Sequence, residues 1–98
     1  MEMLTIPCEL IETIRQIIEW VRKEYCPNYF DPQDVFSVNI KHLQELLEEK
    51  RNSCVEVKYI PYLKEAIENA KNYNDECGIS KTEILKVWDW IWPLYKKR

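Results

Sequence analysis

The sequence predicts an all-α domain, a compact four-helix bundle with at most one short extended segment near residues 55–59. Three observations carry this. Apolar residues recur at the spacing of one helix face in four separate stretches. Each stretch opens on a proline or a serine suited to a helix start. The chain also holds a single glycine in 98 residues, which leaves little room for hairpin turns that need positive φ.

The first helix is expected over Pro7–Tyr25. Pro7 suits the first turn, where a missing N–H costs nothing. Leu10, Ile14, Ile17, Val21 and Tyr25 form one stripe with Ile11 and Ile18 beside it. Glu12, Arg15, Glu19, Arg22 and Lys23 take the far side, and Trp20 sits at the stripe's edge. Pro27 disfavours the α conformation at Cys26, so the helix stops there.

A second helix is expected over Pro32–Arg51, with Asp31 as N-cap and Pro32 at the first position. Phe36, Ile40, Leu43 and Leu47 make its stripe, flanked by Leu46, and Glu48 through Arg51 form a solvated tail. His42 falls on the polar face and takes no role.

Val55, Val57 and Tyr59 alternate with Glu56 and Lys58, which is a strand pattern. Pro61 would break a helix begun at Ser53, so this stretch reads as a connector or a short strand. Leu4–Ile6 or a second subunit would have to supply its partner. A third helix follows over Pro61–Asn74, with Leu63, Ala66, Ile67, Ala70 and Tyr73 on one side. Ala66 and Ala70 let a neighbouring helix approach closely. Gly78 stands where a left-handed residue would end that helix.

Ile79-Ser80-Lys81-Thr82-Glu83-Ile84 is the sharpest local signal. Ser80 and Glu83 fit a capping box, and Ile79 with Ile84 a hydrophobic staple. The fourth helix is expected over Lys81–Trp92, with Pro93 kinking or ending it and freeing the carbonyl of Asp89.

At 46% apolar and 32% charged, residues 1–98 read as one globular domain. No run approaches the roughly 18 apolar residues of a membrane span, and no secretory leader opens the chain. A cytoplasmic protein without membrane contact is expected. The net charge of −3 makes nucleic acid an unlikely partner, since phosphate contacts supply most of such affinity.

Four cysteines, Cys8, Cys26, Cys54 and Cys77, show no close-spaced pair, so zinc is not expected. Cys8 and Cys26 bracket one helix, and Cys54 and Cys77 another. This resembles the stapled twin-cysteine helical hairpins of the mitochondrial intermembrane space, which would imply Cys8–Cys77 and Cys26–Cys54 bridges. That family has a fixed, equal spacing that this chain lacks. Reduced thiols acting as small hydrophobes are the plainer expectation.

With one histidine and one glycine there is no nucleophile elbow, histidine-pair metal site or phosphate cradle. A non-catalytic protein without cofactor or metal is therefore expected. Tyr73 through Val87 resembles the helix-turn-helix family, with Cys77-Gly78-Ile79 as the turn and Ile84 and Val87 facing inward. The likeness implies a degenerate DNA-reading unit at 70–90, in which Lys81, Thr82 and Lys86 would face DNA. Asn74 stands where that family usually has a small residue, and Glu83, Asp89 and Trp90 suit a phosphate-lined groove poorly.

The stretch Trp88-Asp89-Trp90-Ile91-Trp92-Pro93-Leu94-Tyr95 holds three of the four tryptophans. Trp88 and Trp92 share a side with Ile84, Ile91 and Tyr95. Trp90 lies roughly 150–160° away at about 100° per residue, beside Glu83 and Lys86 on the expected wet face. Exposed tryptophan marks interfaces. The chain is thus expected to be a small protein-interaction module, a regulatory or inhibitory adaptor. Trp90, Trp92 and Tyr95 would bind another protein or a second copy of the chain as a homodimer.

Overall fold

Helix α1, Cys8–Tyr25, buries Leu10, Ile14, Ile17, Ile18 and Val21 in the computed structural model of the chain, which describes residues 2–25, 35–48 and 53–97. Two of its arginines do not simply face water. Arg15 Nε donates to the Leu47 carbonyl at 2.9 Å, and Arg22 donates to Gln44 Oε1. Both tie α1 to α2, Val35–Glu48. Their aliphatic stems can cover apolar surface while the guanidinium reaches a partner.

Ile40, Leu43 and Leu47 of α2 are fully buried, as their spacing requires, and Ser37 joins them. Phe36 and Leu46 are half-buried against the core. The expected start at Asp31-Pro32, the tail Glu49–Arg51 and Cys26 lie outside the described residues.

The extended segment finds its partner within the chain. Strand β1, Met3–Thr5, pairs antiparallel with β2, Cys54–Glu56, in the register Met3↔Glu56, Leu4↔Val55 and Thr5↔Cys54. Ile6 N–H to the Ser53 carbonyl at 2.7 Å and Val57 N–H to the Glu2 carbonyl at 3.3 Å extend the pairing at both ends. Ile6 and Val55 are buried and join this small sheet to the helical core. The strand is shorter than the expected Val55–Tyr59, because Val57–Tyr59 winds into a 3₁₀ turn that leads directly into α3.

Helix α3, Ile60–Asn72, has Pro61 in its first turn and buries Ile60, Leu63, Ala66, Ile67 and Ala70. It ends before the expected Asn74: Tyr73, at φ −125°, turns the chain, and its side chain is exposed and not in the stripe. A one-turn helix, α4, spans Asn74–Cys77. Gly78 follows at φ 73°, the left-handed conformation its position demanded.

Helix α5, Lys81–Lys96, packs most extensively on α3 and also touches α1. Ile84, Val87 and Ile91 are fully buried, and Ile79 packs on the core beside them. Two expectations are corrected here. Ser80 is the N-cap residue, but its side chain makes no capping hydrogen bond. Pro93 does not end the helix, which continues through Lys96. The proline withholds one N–H from the ladder, and the Lys97 N–H still closes on the Pro93 carbonyl at 3.3 Å. The architecture is all-α and bundle-like, with five helices and a two-stranded sheet among the described residues. No described helix is long and apolar enough to cross a membrane.

Candidate functional site

Trp88, Trp92 and Tyr95 stand at i, i+4 and i+7 of α5, the spacing that stacks side chains one above the next along a helix. The Trp88 and Trp92 rings lie 5.3 Å apart at 17°, and Trp92 and Tyr95 lie 5.8 Å apart at 26°. The stack passes across Pro93 without a break. Its inner end is anchored, since Trp88 is half-buried against the core. Its outer end is open: Trp92 and Tyr95 are each 37% exposed.

Three lysines surround the rings. The Lys71 ammonium is 4.6 Å from the centre of Trp88. Lys64 is 4.9 Å from Tyr95 and 5.8 Å from Trp92, and Lys96 is 5.8 Å from Trp92. Lys64 and Lys71 are seven residues apart on α3, so they share a face of that helix. The earlier lysine meets the later aromatic, which shows α3 and α5 running antiparallel. Lys64 also pairs with Glu68 at 3.3 Å. Asp89 is exposed on α5 one residue from Trp88.

The expected binding residues therefore divide. Trp92 and Tyr95 sit together at an exposed site. Trp90 does not join them. It is half-buried against the core, and the expectation of a wet face is corrected. A helical wheel assumes one buried face, whereas α5 meets both α3 and α1, so its covered arc is wider. Glu83 and Lys86, expected beside Trp90, form an ion pair at 3.5 Å. Lys64 and Lys71 were missed as site residues. Their seven-residue spacing beside the Ala66 and Ala70 face was the available signal.

Elsewhere, the fourth tryptophan, Trp20, lines a groove of about 280 Å³ with Gln16, Lys23, Cys77 and Ile79. The Cys77 thiol there donates to the Asn74 carbonyl at 3.4 Å. Cys8 and Cys77 are free thiols, so the bridge between them implied by the stapled-hairpin resemblance is not formed. The Cys54 Sγ lies 3.5 Å from Thr5 Oγ1 across the strand pair. His42 is exposed, and among the described residues no cluster of His, Cys, Asp or Glu could hold a metal ion.

In the segment with helix-turn-helix likeness, Ile84 and Val87 are buried as the resemblance implies. The one-turn helix α4, however, stands between α3 and Gly78, and its last residue, Cys77, is the first of the expected turn. Lys81, Thr82 and Lys86 are exposed at the start of α5. Comparison with known protein families, with curated proteins and with solved structures finds no match for this chain.

Proposed function

We propose that this chain is a non-catalytic protein-interaction module that docks a partner on the Trp92–Tyr95 end of α5. One observation carries the reading: an aromatic stack that is anchored at Trp88 and exposed at Trp92 and Tyr95. Rings held against one another lose little freedom when a partner covers them, so more of the contact energy goes into affinity. Tryptophan and tyrosine are also the residue types most enriched among interface hot spots. A cytoplasmic chain of this size, binding and not catalysing, would act as a regulatory or inhibitory adaptor by occupying its partner's surface.

The test is site-specific crosslinking from position 95 with a photoreactive phenylalanine analogue, combined with sedimentation of the purified chain. A crosslink to a different protein, lost in Trp92→Ala, is the expected result. A Trp92-dependent dimer would assign the face to a second copy. Absence of both would overturn the reading.

A second reading rests on the exposed Lys81, Thr82 and Lys86 at the start of α5, where a recognition helix would meet DNA. Glu83, paired with Lys86, and exposed Asp89 weigh against it on the same helix. Anisotropy with duplex DNA separates the two. Binding that survives Trp92→Ala and is lost in Lys81→Glu/Lys86→Glu would favour the DNA-reading unit.

A further inference from the structure

The charge around the stack differs in sign from the chain as a whole. The protein carries a formal net charge of −3, yet Lys64, Lys71 and Lys96 all stand within 5.8 Å of a ring centre in the stack. Lys97 is exposed one residue further on. Of the carboxylates near them, Glu68 is held by Lys64 at 3.3 Å, and Asp89 is exposed at the flank.

From these features we infer that the partner is an acidic protein segment, with carboxylates to meet the lysines and an apolar side chain to cover Trp92 and Tyr95. The inference rests on the reading of this face as a docking surface. A second copy meeting the face through a two-fold axis would set Lys64, Lys71 and Lys96 against themselves, which like-charge repulsion opposes. Single-stranded nucleic acid offers anionic charge, but its bases need free ring faces, and here the rings stack on one another while Lys71 and Lys64 stand over the end rings Trp88 and Tyr95. An anionic bilayer would meet a narrow stripe on a chain of net negative charge, with the opposite side of α5 committed to the core.

The experiment is selection of the full chain against a displayed library of random peptides, with Trp92→Ala as the counter-selection. Peptides rich in Asp and Glu with an aromatic or aliphatic anchor are expected among the Trp92-dependent binders. Lys71→Glu and Lys96→Glu should each weaken them roughly tenfold, with Lys96→Gln intermediate. Circular dichroism of each variant confirms that it is folded. Trp92-dependent binders that are neutral or basic would overturn the acidic partner and leave the docking surface standing. Absence of any Trp92-dependent binder would overturn both. Trp92-dependent binding of phosphatidylserine vesicles or oligothymidylate, with no acidic peptide selected, would overturn the inference in favour of a lipid or a nucleic acid.

Discussion

The Lys71 ammonium stands 4.6 Å from the centre of the Trp88 ring, joining the middle of α5 to the far end of α3. A second such contact, Lys64 to Tyr95, follows seven residues earlier on α3. The two lysines therefore do more than solubilise a helix face. They bind the seam between α3 and α5 at two heights, on the side where the aromatic stack opens to solvent.

Removing one of these contacts should be measurable but small. Lys71→Ala is expected to lower stability by about 0.5–1 kcal/mol in chemical denaturation, the range of a partly exposed cation over an indole. Lys71→Arg should retain most of it. An unchanged midpoint for Lys71→Ala would show that the contact contributes nothing to folding.

The division among the tryptophans makes a second prediction. Trp90→Ala should cost about 1–3 kcal/mol, since it uncovers part of the core. Trp92→Ala should cost the folded chain less than about 1 kcal/mol, because its side chain is more open and its removal leaves no closed cavity. Equal losses would mean that both rings are structural.

At the start of α5, Ser80→Ala should be nearly silent, within about 0.5 kcal/mol. The usual penalty for losing an N-cap side chain is about 0.5–2 kcal/mol, and Ser80 makes no such bond. A loss of that larger size in thermal denaturation would show that the serine hydroxyl caps the helix in solution.

Gly78→Ala isolates a backbone effect. A Cβ built at Gly78 meets nothing within 4 Å, so no clash accompanies the change. The φ of 73° should still cost about 1 kcal/mol for a residue with a side chain. Gly78→Asn should cost less, because asparagine tolerates the left-handed region. If alanine is as stable as glycine, the turn between α4 and α5 has relaxed to another conformation.

Much of the fold was legible because burial in α1 and α2 follows one stripe per helix. Ile14, Ile17 and Val21, and then Ile40, Leu43 and Leu47, are buried where their spacing put them. The errors fall where a residue answers to more than its own helix. Trp90 was misjudged because α5 has two neighbours, and spacing within α5 says nothing of the second. Arg15 and Arg22 were assigned to water, although their reach carries them to α2. Pro93 was read by its local rule, yet the helix accommodates the one missing N–H and runs on to Lys96. The stack of Trp88, Trp92 and Tyr95 was readable from spacing, but its lysines come from α3 and needed the pairing of two helices.

The pairing of Thr5 with Cys54 has a consequence for the order in which the molecule is assembled. It joins residues 49 apart and encloses α1 and α2 between its ends. Such a closure demands loop entropy before it returns any contact, whereas α3 and α5 meet across a short turn. The C-terminal hairpin can thus form early and offer a surface on which the rest condenses. The two short strands then act as a clasp. Loss of the first residues would loosen the N-terminal half of the molecule and leave the aromatic end of α5 in place.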